Sequence, residues 1–543
     1  MLGFKKIILF ISLFAVGRAM AVKTEVVPGE YVLRLKKTVS IKKNINTFEK
    51  SLNVKVKNFI PNTDLVVVKV NEAAGSDFKT TTANLMKNNS VLLAEPNYIY
   101  RINRVPNDPE LGKLWGMINS GQFDSKNSKG IAGVDIGAEA AWDVETGNED
   151  LLIAVIDTGV DYNHNDLKGN VWTNTAELNG KAGVDDDGNG FVDDIHGYNF
   201  VGNNGDPLDD HGHGSHCSGT IAGKGNDGAG IVGVAWNAKI MGVKFLGADG
   251  GGTLEGAVQA IKYATKMGVK IMSNSWGGGG YSEILKDAIK EAGDHGIVFT
   301  AAAGNSSGNN DEDPAYPASY NLPNVISVAA VDNRGELANF SCFGRKTVHV
   351  AAPGVNIFSS IPGGYDSWSG TSMATPHVTG VAALLLSHEP NLTPEEVRTR
   401  LIRTSKPMAA LKGKSASNGL VNAYLALMNE QAPPDPNDPE NWTQFQPLSI
   451  STDHNYKDNS NLTWEVEIPG ANQIALLFEK FKTEARYDVV TLTNRAGEKV
   501  GEITGDAGDR WSPAIAGDYV KITFRSDGSV NDYGFDITKA AHR

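Results

Sequence analysis

The pattern of apolar and polar positions divides the 543-residue chain into distinct stretches. In residues 22–104, Tyr31–Leu35, Val54–Phe59 and Asp64–Val70 read as strands with the two-residue period of a half-buried sheet, and Val91–Tyr100 is extended. Between them, 41–51 and 77–88 read as helices, so the order is β-α-β-β-α-β, a split βαβ arrangement. From 105 to 430 the pattern changes. Leu151–Ile156, Ile240–Phe245, Val269–Ser273 and Ile297–Ala301 are short apolar runs, and helices are predicted near 255–267 and 282–294. Strands that are apolar on both faces need cover on both sides, which predicts a three-layer α/β domain with a mostly parallel sheet. Residues 431–441 hold four prolines and read as a linker without helix. In 442–543, Trp464–Ile468, Ile474–Phe478, Val489–Thr493 and Tyr519–Phe524 alternate between turn-forming residues, predicting a small all-β sandwich.

The first 21 residues fit an export signal. Lys5 and Lys6 precede an apolar run from Ile7 to Val16, and Ala19-Met20-Ala21 offers a small-residue cleavage site. The run is too short to span a bilayer, so the expectation is a secreted protein, extracellular or periplasmic, with no stable membrane insertion.

Charge adds an asymmetry. The net formal charge is −13, which argues against a nucleic-acid partner. Residues 1–104 hold 17 basic and 7 acidic residues, a balance of +10, and the remainder carries −23. The two parts should attract, or the acidic body should bind cations. Cys217 and Cys342 are too few for a disulfide scaffold, and their pairing is open.

Four segments carry chemistry. Ile153–Asp157-Thr-Gly159 ends an apolar strand on a carboxylate, where open α/β sheets place their sites. The same Asp-Thr-Gly could be an aspartic-protease motif or a plain strand end. Asp209-Asp-His-Gly-His213-Gly-Ser-His216 holds three histidines in six residues, either a metal cluster of a metallohydrolase or a base at a helix start. Gly370-Thr-Ser372-Met-Ala-Thr-Pro376 leads into a long apolar helix. Pro376 cannot donate to the Ser372 carbonyl, which places Ser372 at the helix N-terminus, as a nucleophile or only as a cap. Ala301-Ala-Ala-Gly304-Asn305 ends another strand on an amide suited to hold an oxyanion.

These four motifs, in this order, resemble the signatures of the subtilases, with Ser215 where the family usually has Thr. The resemblance covers about 105–430 and implies a serine endopeptidase acting on protein or peptide substrates through an acyl-enzyme. Ser372 would be the nucleophile, His213 the base, Asp157 its orienting carboxylate and Asn305 an oxyanion donor. It further implies that Gly250-Gly251-Gly252 and Ser275-Trp276-Gly277 pair with the substrate backbone, and that Ala302 and Gly304 line the pocket before the scissile bond. Residues 22–104 resemble the family's inhibitory propeptide, so the chain's own N-terminal unit is an expected intramolecular inhibitor of a self-processed precursor. A non-catalytic binding protein on the same scaffold is the alternative.

Calcium is the expected ion. Asp108, Asp166 and Asp227, with the carbonyls of Lys224, Ala229 and Ile231, match a site frequent in thermitase-like subtilases. Asp185, Asp187, Asn189 and Asp193 follow the first half of an EF-hand loop, with His196 at the position where that loop has Glu. Residues 442–543 resemble a CUB-type sandwich, in which Glu484, Asp488 and Asp527 form an acidic trio able to bind calcium.

Overall fold

The structure, a computed structural model, describes residues 26–36, 44–70, 78–99, 105–435 and 438–543. The export segment and residues 100–104 lie outside the described residues. The chain divides into two compact units, Met1–Asn103 and Arg104–Arg543.

In the first unit, strands Val26–Leu35, Val54–Phe59, Leu65–Val70 and Val91–Tyr98 form an antiparallel sheet. The 54–59, 65–70, 26–35 and 91–98 strands lie in that spatial order. Helices Ile45–Leu52 and Phe78–Met86 join them. Leu33, Val66 and Val68 are fully buried, as the alternation requires.

In the second unit, nine strands among the described residues form one sheet. Its order is 406–407, 419–420, 350–353, 325–331, 298–302, 271–274, 152–157, 239–244, 197–199. All neighbours are parallel except the first pair. The central strands, Leu152–Asp157, Lys239–Lys244, Ile271–Asn274 and Val298–Ala302, are buried along nearly their whole length. One face packs against helices His213–Ala222 and Thr371–His388. The other packs against Leu254–Lys266 and Glu283–Asp294. Thr253 and Ser282 cap the latter two helices by accepting from backbone N–H groups of the first turn.

The proline-rich stretch does hold a short turn of 3₁₀-helix, Pro439–Asn441. Proline costs nothing at the first helical position, where its N–H would be unpaired, and Asp438 caps the turn. Glu440 there pairs with Lys412. Beyond it, two antiparallel sheets stack into a sandwich. Strands 444–451, 534–542, 473–482 and the short pieces 510–511 and 515–516 form one sheet, and strands 461–467, 519–525, 489–493 and 499–504 the other. Phe478, Phe481, Phe524 and Phe535 fill the space between them. No helix among the described residues is long and apolar enough to cross a membrane.

Candidate active site

The C-terminal edge of the parallel sheet gathers the chemistry. Asp157 is the last residue of its strand and is fully buried. Its Oδ1 accepts from the Thr158 N–H and from His213 Nδ1, both at 2.7 Å. A carboxylate at Nδ1 fixes the proton there and leaves Nε2 as the basic nitrogen. The turn after Asp157 needs glycine. Gly159 has φ +118°, and a Cβ there or at Gly214 would run into backbone carbonyls. That close approach seats the first turn of the His213 helix against the Asp157 strand.

Burial alone pulls the His213 imidazole down. The charge and hydrogen bond of Asp157, joined by the charge of Asp209, outweigh it and hold the ring above its ordinary value. The other two histidines of the cluster do not join it. His216 is buried, with Nε2 2.9 Å from the Ile357 carbonyl, and burial pushes it down to about 3. His211 is exposed. The three rings converge on no common point, which removes the three-histidine metal cluster among the described residues.

Ser372 lies in the first turn of helix Thr371–His388, and Pro376 sits inside that helix. The proline leaves the Ser372 carbonyl without a helical partner. Ser275 Oγ donates to it at 2.9 Å and the Cys217 thiol at 3.5 Å. In return Ser372 Oγ donates to the Ser275 carbonyl at 2.9 Å. The resting nucleophile therefore bonds to the 275–277 segment, and not to His213, in this structure. Such bonds commonly form only with substrate in place.

Asn305 is held by its amide oxygen, which accepts from the Thr371 N–H and hydroxyl, each at 2.9 Å. This fixes the amide's orientation and frees its NH₂ on the Ser372 side, near Gly370. Strands 239–244 and 271–274 flank the Asp157 strand, so Gly250–Gly252 and Ser275–Gly277 follow the sheet edge on its two sides. Phe245 and Trp276 rings meet between them at 4.8 Å. The three glycines are exposed and outside any ladder, with the Gly250 and Gly251 N–H groups donating within the loop to the Gly247 carbonyl and to Asp249. Ala302 is buried, and Gly304, with φ +109°, is half-buried beside Cys342. Both cysteines are buried free thiols.

Trp368, not singled out from the sequence, stacks on His213 (6.2 Å, 23°) and on His216 (5.1 Å, 5°). It ends the hairpin of strands Ile357–Ile361 and Gly364–Trp368. Only the tertiary fold brings it to the histidines.

The cation candidates differ in fit. Asp108 and Asp166 are buried, and each has one oxygen without a hydrogen-bond partner. Their other oxygens accept from the N–H groups of Asn226 and Ile231. Desolvation first, with the nearby charge of Asp227 adding to it, raises both carboxyls above the ordinary range. The Lys224 N–H donates to the Asp166 backbone carbonyl, and the Ala229 N–H donates to the Asp227 carboxylate. Orphaned buried carboxylate oxygens suit a hard cation, but Asp108, Asp166 and the exposed Asp227 do not bring three oxygens within 4.8 Å of one another, as the loop and sandwich trios do.

In the 185–193 loop, Asp185 and Asp187 do cluster, but with Glu177 instead of Asp193. Asp193 turns back, at φ +56°, to accept from the Gly183 N–H. Asn189 spends its oxygen on the Phe191 N–H and its amide on Asp187 and Asp194. Glu177 lies upstream on a five-residue helix with no motif to mark it. In the sandwich, Glu484, Asp488 and Asp527 do come together. Glu484 Oε2 has no partner, while Asp488 accepts from Tyr456 and the Asp527 N–H.

An Asp–His pair and a helix-start serine on a parallel sheet edge define the class of triad hydrolases. The profile of the subtilase family matches residues 148–433, and that of the CUB domain matches 443–538. The chain is 35% identical over 402 residues to a thermophilic serine proteinase of Bacillus sp. (strain AK1), covering 74% of this chain and 88% of that protein. It is 38% identical over 299 residues to subtilisin-like protease 1 of Plasmodium berghei, covering 52% and 50%. It thus spans about half the length of that relative. A protease structure from Pseudoalteromonas arctica is 28% identical, with a TM-score of 0.46, covering 60% of this chain and 98% of that one. The chain belongs to the subtilase family and carries a C-terminal CUB domain.

Proposed function

We propose that this subtilase is an exported, calcium-stabilised serine endopeptidase, made as a precursor that its own N-terminal unit inhibits. The observation that carries the reading is the 2.7 Å bond from His213 Nδ1 to the buried Asp157, at the sheet edge that also holds Ser372. Substrate adds as a strand beside Gly250–Gly252 and Ser275–Gly277. Ser372 Oγ leaves the Ser275 carbonyl and attacks the peptide carbonyl as His213 Nε2 takes its proton. The new O–C bond pushes charge onto the carbonyl oxygen, which Asn305 Nδ2 and the Ser372 N–H stabilise. The C–N bond then breaks, His213 protonates the leaving amine, and water repeats the sequence to release the acid. Asp108, Asp166 and Asp227, with the carbonyls of Lys224, Ala229 and Ile231, would hold calcium, which neutralises their charge and cross-links the chain. Basic residues 22–104 would bind the acidic body in trans, more tightly at low salt.

The test is Ser372→Ala. Purified parent should cleave peptides and take a fluorophosphonate label, and the variant should do neither while remaining folded and unprocessed. Activity of the variant within tenfold of the parent would remove the assignment.

A further inference from the structure

Asp209 belongs to no part of the mechanism above, yet its carboxylate is only 5% exposed and accepts four hydrogen bonds. Oδ1 accepts from Thr158 Oγ1 at 2.9 Å, the His211 N–H at 3.0 Å and the Gly212 N–H at 2.8 Å. Oδ2 accepts from the Ser215 N–H at 2.8 Å. Three of the four donors are backbone N–H groups, the environment a carboxylate acceptor needs. The donors come from two places. Thr158 follows Asp157, and 211, 212 and 215 flank His213. Thr158 Oγ1 in turn accepts from the Gly214 N–H at 2.9 Å, closing the bridge between strand and helix.

We propose that Asp209 is a positioning residue of the catalytic centre, pinning the turn after Asp157 to the first turn of the His213 helix and so setting the geometry of the Asp157–His213 pair. The proposal rests on the triad reading above. The groups facing His213 are few. Asp157 comes from the strand, and Asp209, Asp210 and His211 from the preceding loop. His216 and Cys217 come from its own helix, where burial keeps the former deprotonated and the latter a thiol. Lys244 ends the neighbouring strand, its ammonium bonded to Asp210 and to the Thr158 and Leu246 carbonyls. Trp368 and Asp366 come from the hairpin, and Ser372 from its helix. Asp209 is thus the second buried carboxylate beside the ring, and its charge acts on the ring in the same direction as that of Asp157.

The experiment measures kcat and KM for peptide hydrolysis by the parent, Asp209→Asn, Asp209→Glu and Thr158→Val. Asparagine removes the charge and sets an amide N–H against the Ser215 N–H. Its kcat should fall about tenfold or more with KM within twofold. Glutamate keeps the charge and disturbs the geometry, so its kcat should fall as well. Valine breaks the bridge and spares the charge, with the same outcome as glutamate. A folded Asp209→Asn with kcat within twofold of the parent overturns the positioning role. If that variant does not fold, Thr158→Val decides, because a kcat within twofold of the parent overturns the bridge. A parent that cleaves no peptide refutes the triad reading instead, so the two failures are distinct.

Discussion

In the nest of Asp108, Asp166 and Asp227, two buried carboxylate oxygens lack any donor. In the loop from Asp185 to Asp194, the oxygens of Glu177, Asp185 and Asp187 all accept hydrogen bonds, from the backbone of 186, 187, 189, 190 and 193 and from the amides of Asn174 and Asn189. The two regions have nearly the same composition. They differ in who satisfies the charge. The loop meets its carboxylates with its own N–H groups, and Glu177, Asp185 and Asp187 still bring oxygens close enough together to hold an ion. The nest takes charge out of water and leaves the compensation to something outside the protein. Acidic residue count therefore says little about dependence on a cation, and the tally of unpaired oxygens says more.

The largest expected effect follows from removing the ion. Calcium at one hundred times its dissociation constant stabilises the folded state by about 2.7 kcal/mol. A chelator should therefore lower the melting temperature of Ser372→Ala protein by about 3 °C, read by calorimetry. An unchanged Tm would erase the contrast between nest and loop. Next comes a change of sign. Asp166→Asn should destabilise the calcium-loaded protein, yet stabilise the chelated one by about 1 kcal/mol, because it removes a buried charge that is only partly hydrogen-bonded. Destabilisation in both conditions would mean that the nest is held by protein contacts alone.

Acidity sharpens the same contrast. The Asp108 and Asp166 carboxyls titrate above their unfolded value of about 3.9, so the folded state binds protons more tightly than the unfolded chain does. Their protonated contribution is fully present below the unfolded pKa and is lost as pH rises through the raised folded values. Chelated protein should thus gain relative stability from these groups on mild acidification. Calcium-loaded protein should lose it as protons displace the ion, and urea unfolding at stepped pH reads both slopes. The smallest effect is expected in the loop, where Asp187→Ala should cost about 1–2 kcal/mol in lost hydrogen bonds, equally with and without chelator.

Much of this was legible in the chain. The strand expected at Leu151–Ile156 is Leu152–Asp157, and the helix expected at 282–294 is Glu283–Asp294. Continuous apolar runs and capping residues are local signals, so such elements can be read from a window. Pro376 foretold the freed Ser372 carbonyl, though not that Ser275 and Cys217 would take it. What stayed hidden is made by distant parts of the chain. Thr371 grips Asn305 across 66 positions, and Thr158 bonds Asp209 across 51. Glu177 closes a loop that begins eight residues later, from a helix too short to show a period. Asp193 looked like a ligand because it falls in sequence register, but its left-handed backbone turns it towards Gly183.

Trp368 gives the site an optical handle. Its indole lies face to face with His213 and His216, with its N–H tied to Asp366 at 3.0 Å. Imidazolium quenches indole emission more strongly than neutral imidazole does, and His216 stays neutral through the working range. His211 also lies 6.4 Å from the indole, so in a His211→Gln background the difference in fluorescence between Trp368 and Trp368→Phe protein should trace the protonation of His213, without substrate. The ring that covers the base thus makes its charge visible in the resting enzyme.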